Sequence, residues 1–183
     1  MIISCHQPNF FPWKPYFDKI AQADIFIVLN NVQYTRHQFQ NRFSYLGNWM
    51  TMPVEVGHLA DLIKNKKYVN PDTAWEKIKN KINNPKLSEF DSLFSESLAI
   101  TNRGIIDLIC AKLQINTPIL EDMSTEESNA SKRLIDLCVA HGASTYLAGP
   151  SGRNYLDSEL FTSNGIKIKY FESNNTSSIL EFL

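Results

Sequence analysis

The 183-residue chain has few of the features that mark several common protein classes. Its three cysteines, Cys5, Cys110 and Cys138, form no CxxC pair and lack metal-ligand spacing, so the sequence predicts neither a disulfide framework nor a metal site. The formal net charge of −1 provides no overall field to attract nucleic acid or an anionic membrane. The longest unbroken apolar run, residues 25–29, is too short to span a membrane.

Length and composition together indicate one globular domain. A chain of 183 residues with 43% hydrophobic side chains buries a core without help from disulfides or a structural metal. The N-terminus has neither the basic start nor the apolar stretch of a signal peptide. We therefore expect a reduced, cytoplasmic protein that has no nucleic-acid partner and no membrane span.

The hydrophobic pattern alternates between strands and helices at both ends of the chain. Residues 1–4 and 25–29 are predicted as strands, and apolar residues with helical spacing over 13–21 predict the crossover helix of a βαβ unit. Later strands are predicted at 145–148 and 166–170. The sequence thus predicts an α/β fold with a mainly parallel, Rossmann-like sheet.

The middle of the chain has a different pattern. Alternating apolar residues over 50–56 predict a strand at a sheet edge. Three stretches with helical spacing follow, around Trp75, Phe90 and Leu108. We therefore expect the whole chain to form a single α/β domain with a helical insertion at about 60–115.

Polar side chains follow three of the predicted strands, where ligands bind in open α/β sheets. The predicted binding residues are Gln7, Asn9, Asn31, Gln33, Arg36, Arg42, Gly149, Gly152 and Asn154, and the predicted catalytic residues are His6, Ser151 and Arg153. These groups offer many hydrogen-bond donors and few carboxylates. They favour a site for phosphate or another anion over a carboxylate-paired hydrolase or a metal centre.

Each of these predictions has a simpler structural alternative. The Gly-Pro-Ser-Gly-Arg turn at 149–153 fits an anion cradle gripped by Arg153, and it fits equally a tight strand-to-helix turn. His6 is either a packed ring or a phosphate donor and acid–base group. Cys5 fits a small buried side chain better than a nucleophile. The polar loop from Arg36 to Arg42 either contacts a ligand or is solvated.

Six segments of the chain together form a family pattern. They are Gln7-Pro8-Asn9-Phe10-Phe11-Pro12-Trp13, Tyr16-Phe17-Asp18-Lys19-Ile20, Val32-Gln33-Tyr34, Asn41-Arg42, Trp49-Met50-Thr51-Met52-Pro53-Val54 and residues 146–156. This pattern resembles the WbqC-like family. The resemblance implies a cytoplasmic protein of bacterial surface polysaccharide synthesis, that is, O-antigen or lipopolysaccharide, and a glycine transferase role has been proposed for some members. Asn30 and Asn31 stand where that family often has acidic residues, so we expect no metal there.

A second likeness concerns mechanism. The start of the chain and residues 151–156 are similar to the nucleotidylyl-transferase superfold, particularly to pantothenate synthetases. In that group these segments hold ATP phosphates, and an amine captures an acyl-adenylate to form an amide. The two likenesses together imply a transferase that joins glycine or another acyl group to a nucleotide-linked amino sugar, with ATP or a nucleotide sugar as ligand and no tightly bound cofactor.

The same likenesses imply roles for the candidate residues. His6 and Arg153 would stabilise phosphate charge, with Ser151 and the backbone of Gly149 and Gly152 cradling it. Gln7 and Asn31 would orient ligand groups, while Arg36 or Arg42 would hold a pyrophosphate. Two other functions remain open. The first is a non-catalytic protein that binds nucleotide sugars or helps to assemble a glycan biosynthetic complex, and the second is a nucleotidylyl transferase.

Overall fold

A five-stranded parallel sheet forms the centre of the computed structural model, which describes residues 1–58, 61–122, 129–173 and 178–183. The strands in chain order are β1 (Ile2–His6), β2 (Ile25–Val28), β3 (Arg42–Tyr45), β4 (Asn48–Thr51), β5 (Ile119–Glu121), β6 (Thr145–Ala148) and β7 (Lys167–Tyr170). The sheet has the order β5-β2-β1-β6-β7, and every neighbouring pair is parallel. Counted within the sheet alone, this order is 3-2-1-4-5, as in doubly wound Rossmann folds. The predicted α/β fold with a Rossmann-like sheet is confirmed.

Helices cover both faces of the sheet. They are α1 (Lys14–Ala21), α2 (Pro71–Ile82), α3 (Leu98–Lys112), α4 (Ala130–Ala140) and α5 (Ser158–Ser163), with short 3-10 helices at Ile63–Asn65, Pro85–Leu93, Pro150–Asn154 and Ile179–Glu181. Helix α4 begins where the side chain of Asn129 accepts a hydrogen bond from the backbone N–H of Lys132 at 2.9 Å. Across the described ranges, no helix is long and apolar enough to cross a membrane.

Two apolar cores lie on opposite faces of the sheet, because alternate side chains of a strand point to opposite sides. We call the first the aromatic core; its large buried side chains include Phe10, Phe11, Tyr16, Phe17, Phe26, Phe43, Tyr68, Trp75 and Phe90. We call the second the aliphatic core; its members include Ile3, Ile27, Leu134, Ile135, Leu137, Cys138, Phe161 and Ile166. Helices α1 and α3 pack over the aromatic core, and α4 and α5 over the aliphatic core.

The chain between β2 and β5 forms a hairpin of β3 and β4, followed by the helices α2 and α3. Both helices lie within the stretch, about 60–115, that was predicted as a helical insertion. Strands β3 and β4 pair antiparallel with each other, outside the central sheet. The strand predicted over 50–56 is present only up to Thr51, and it is an edge strand of this two-stranded sheet, so the bounds of the prediction were wrong. Strand β4 ends at Thr51 because Pro53 has no N–H to continue the ladder, and Val54 makes only an isolated bridge to Tyr68. The predicted helix around Phe90 is a 3-10 helix.

Candidate functional site

A cleft of about 880 Å³ opens at the carboxyl ends of the central strands. Strand β1 pairs with β2 on one side and with β6 on the other, so the chain connections turn in opposite directions at this point. Doubly wound sheets bind their ligands at this switch point. The polar side chains that line the cleft include His6, Gln7, Asn31, Gln33, Arg133, Tyr146 and Tyr155.

Four of the predicted site residues meet in this cleft. His6 and Gln7 come from the end of β1 and the loop after it, and Asn31 and Gln33 come from the loop after β2. Strand β1 extends two residues further than the sequence predicts, so Cys5 and His6 belong to the strand. The backbone N–H of Leu29 donates to the carbonyl of His6 at 2.8 Å, which continues the sheet pairing to that residue.

The predicted arginines lie outside the lining of the cleft. Arg153 stacks over the ring of Tyr170 at 4.1 Å and pairs with Glu172 at 3.2 Å. Arg42 stacks over Trp49 at 4.2 Å and donates to the carbonyl of His37. Arg36 is exposed in the loop before β3.

The glycine-rich turn and Asn9 are also absent from that lining. Ser151 and Asn154 are exposed on the 3-10 helix that follows β6, and Gly149 comes directly before this helix. Gly152 is buried, and a Cβ atom there would lie 2.9 Å from Leu156 Cδ1, so close packing explains this glycine. Asn9 is only 2% exposed, in the loop after β1.

Hydrogen bonding fixes the tautomer of His6. Its Nδ1 lies 3.1 Å from the carbonyl oxygen of Gln7, which can only accept, so Nδ1 carries the proton and Nε2 has a free lone pair. The hydroxyl of Tyr16 donates to the same carbonyl at 3.1 Å. Burial, and then the nearby charge of Lys19, lower the pKa of His6 from 6.5 to about 3. His6 is therefore neutral at physiological pH and acts as a hydrogen-bonding group rather than a cation.

A buried amide network holds Gln7 in place. The side-chain amide of Gln40 donates to Oε1 of Gln7, so the nitrogen of Gln7 remains for a ligand. Asn102 on α3 donates to the carbonyls of Pro8 at 2.8 Å and Gln40 at 2.7 Å. It also accepts a hydrogen bond from the hydroxyl of Tyr68 at 2.7 Å. Asn102 on α3 thus anchors the loop after β1, which carries Gln7 into the cleft.

Arg133 provides the positive charge in the cleft. Its Nη1 donates to Oδ2 of Asp122 at 3.2 Å and to the carbonyl of Asn31 at 3.1 Å. The side chains of Arg133 and Asp122 are 7% and 0% exposed. This buried ion pair joins the start of α4 to the end of β5, and it places Asn31, whose amide nitrogen donates to the carbonyl of Asp122 at 3.1 Å.

Two residues of the cleft lining, Arg133 and Tyr155, were not predicted from the sequence. Arg133 lies three residues after Ala130 and four before Leu137, within the apolar stripe of α4. A charge in such a stripe requires a buried partner, and this was the signal that could have identified it. Tyr155 follows the glycine-rich turn, and nothing in its local sequence distinguishes it from a core-edge ring.

Two chemical alternatives can be judged from the side chains present. Burial, above all other causes, raises the pKa of the Cys5 thiol far above its ordinary value, so this residue remains a protonated thiol. In the ranges that the structure describes, no three His, Cys, Asp or Glu side chains form a group that could hold a metal ion. The cleft therefore offers amides, a neutral imidazole, a phenol and a paired arginine.

Comparison with known proteins identifies the relatives of this chain. The model of the WbqC-like protein family matches residues 7–178. The uncharacterized protein Rv1507c of Mycobacterium tuberculosis is 29% identical over 186 residues, covering 91% of this chain and 80% of that protein. A solved structure, the Zn(II)-bound AdcAII H205L variant of Streptococcus pneumoniae, covers 98% of this chain and 93% of its own at 14% identity and a TM-score of 0.27. That TM-score is too low to support any structural argument.

Proposed function

The chain belongs to the WbqC-like protein family, and from this membership and the cleft we propose that it transfers an acyl group, such as glycine, to the amine of a nucleotide-linked amino sugar. The observation that supports this proposal most is that a neutral His6 and the side-chain amide of Gln7 both line the cleft at the switch point of the sheet. Surface polysaccharide synthesis, O-antigen included, is the setting that we propose for this reaction.

The cleft has a suitable size and lining for such a substrate. Its volume of about 880 Å³ lies within the range of about 300–1,000 Å³ that small-molecule sites occupy. Amide and phenol groups bind sugar hydroxyls, and Arg133, held in its ion pair with Asp122, adds a guanidinium beside them. Ser151 and Arg153 have no part in the proposal because they lie away from this lining.

The proposed reaction starts from an acyl-adenylate made from ATP and the acyl donor. The sugar amine attacks the acyl carbon, the C–N bond forms, and the C–O bond to AMP breaks. Nε2 of His6 accepts the proton that the nitrogen loses. The negative charge of the bound phosphate raises the pKa of His6 from its low value in the unliganded cleft, which makes the imidazole a better base.

The test is an activity assay on the full chain with matched histidine variants. Purified protein, ATP, glycine and a UDP-linked amino sugar should give pyrophosphate and an amide product, detected by mass spectrometry. We expect His6→Gln to lower kcat about 100-fold or more, whereas His141→Gln, at the end of α4, should leave it unchanged. The proposal would be refuted if the wild-type protein released no pyrophosphate and formed no amide with glycine or with the other acyl donors.

A second candidate function is a non-catalytic protein that binds nucleotide sugars. The observation in its favour is that the cleft combines a protonated Cys5 with a His6 of low pKa, so neither group is an activated nucleophile. Two results together would favour this function over the transferase. The wild-type protein would bind the UDP-linked amino sugar, more tightly than His6→Gln does, and it would show no turnover with any acyl donor.

A further inference from the structure

A second cavity, of about 330 Å³, lies between the loop after β1 and the β3–β4 hairpin. We call it the aromatic groove. Its walls include the rings of Trp13, Phe39 and Phe43 and the side chain of Ser44, over a floor of Phe10 and Phe11. Apart from one proline, every apolar side chain in this lining is aromatic, which suits a flat aromatic guest better than a flexible aliphatic chain.

The aromatic groove and the cleft lie close to each other. Trp13 lines the groove and lies 4.9 Å from Phe39, measured between ring centroids. The same ring meets that of His6, in the cleft lining, edge-on at 6.4 Å. The groove ring Phe39 and the cleft residue His6 thus both neighbour Trp13, a separation that an elongated ligand passing over Trp13 spans.

The rim of the groove carries a positive charge and an open hydroxyl. Phe39 lies 5.9 Å from Trp49, and the guanidinium of Arg42 stacks on Trp49. Nε of Arg42 is buried and has no hydrogen-bond partner among the described residues. Ser44 is exposed on β3. A cation next to these aromatic rings favours an anionic aromatic ligand over a neutral lipid or acyl chain.

We propose that the aromatic groove binds the nucleobase of the nucleotide-linked substrate, while the amino sugar occupies the cleft. This inference rests on the proposed function, since it identifies how the same substrate is recognised. Base stacking against Trp13 and Phe39 supplies affinity, and Ser44 contacts the edge of the base.

Equilibrium binding without any acyl donor tests the inference. The probes are UDP, ADP and GDP, with ribose 5-phosphate and pyrophosphate as probes that lack a base, and decanoate as an aliphatic probe. We expect at least one nucleoside diphosphate to bind at least ten-fold more tightly than the probes without a base. Saturation-transfer NMR should show its base protons in closest contact with the protein.

Matched variants locate the binding. Phe39→Leu keeps an apolar side chain at a half-buried position and should weaken nucleotide binding about ten-fold. Val139→Ala shortens an exposed side chain on α4 that belongs to neither the groove lining nor the cleft lining, and it should have no effect. Trp13→Leu is the second groove variant, and circular dichroism confirms that each variant is folded.

Each outcome separates this inference from the proposed function. Nucleotide binding that Phe39→Leu and Trp13→Leu weaken supports the groove, even if no amide product is ever found. Binding that neither variant changes, or tighter binding of decanoate than of any nucleotide, overturns it. Amide formation on an amino sugar without nucleotide binding would overturn the groove assignment while leaving the acyl transfer intact.

Discussion

The two walls of the cleft are held in place by different means. The first wall consists of His6 at the end of β1 and Gln7 in the loop that follows. Phe10 and Phe11 anchor this loop in the aromatic core, and Asn102 ties it to α3. The second wall, Arg133 and its helix α4, rests on the aliphatic core and is joined to β5 by a buried ion pair. Ring and amide contacts hold the first wall, whereas a buried pair of charges contributes to holding the second.

The largest expected effect is the loss of that ion pair. Arg133→Met removes the arginine that pairs with the buried carboxylate of Asp122, and we expect the free energy of unfolding to fall by about 4 kcal/mol. Guanidinium chloride denaturation measures it. The double variant Arg133→Met/Asp122→Leu should recover most of the loss. A loss below about 1 kcal/mol in the single variant would show that the second wall does not depend on the pair.

The next effect compares the two cores by making the same change, phenylalanine to leucine, once in each core. Phe11 contacts the rings of Phe10, Phe43, Trp75 and Phe90. Phe11→Leu should cost about 3 kcal/mol because several ring pairs are lost together. Phe161→Leu in the aliphatic core should cost about 1 kcal/mol, as a swap of similar volume. Equal losses, measured by urea denaturation, would remove the distinction between the cores.

A smaller effect tests the amide network of the first wall. Asn102→Ala leaves the carbonyls of Pro8 and Gln40 without this donor and removes the nearer of two acceptors of the Tyr68 hydroxyl, which should cost about 2 kcal/mol. The control is Asn80→Ala on α2, which should change the free energy of unfolding by less than about 0.5 kcal/mol. Hydrogen exchange should show faster opening of the 6–10 loop in the Asn102 variant, and unchanged exchange would count against this anchoring.

The smallest effect is the pH dependence that His6 contributes. Its folded pKa, about 3, lies below the unfolded value of 6.5, so the unfolded chain binds more protons between these limits. Stability from this group is therefore present above pH 6.5 and is lost as the pH falls toward 3. Between pH 6.5 and 5, wild-type protein should lose about 1.6 kcal/mol more than His6→Gln. Parallel pH profiles of the two proteins would contradict the neutral imidazole.

Much of the sheet could be predicted from local sequence. Unbroken apolar runs gave the places of β1 and β2, and β6 was predicted with its observed bounds, Thr145–Ala148. The hairpin was missed because Arg42–Tyr45 lacks an apolar run, and its strand is defined by pairing with β4. The end of β1 was missed because His6 is polar, although it still pairs across to Val28.

The candidate site was harder to predict, because its assembly depends on contacts between distant parts of the chain. The polar residues next to the strand ends, His6, Gln7 and Asn31, could be identified from their positions alone. Arg133 could not be placed without knowing that Asp122 lies beside it. Gly152 was assigned to anion binding, whereas its closest constraint is packing against Leu156 and Ala148.

The most direct test of the account is to map where a UDP-linked amino sugar touches the protein, by NMR shifts of backbone and side-chain amides in the full chain. We predict that the largest changes fall on His6, Gln7, Asn31 and Tyr155, with a second group at Trp13 and Phe39. Changes confined to the 149–154 turn and Arg153, with the cleft unaffected, would contradict the assignment of the cleft as the binding site.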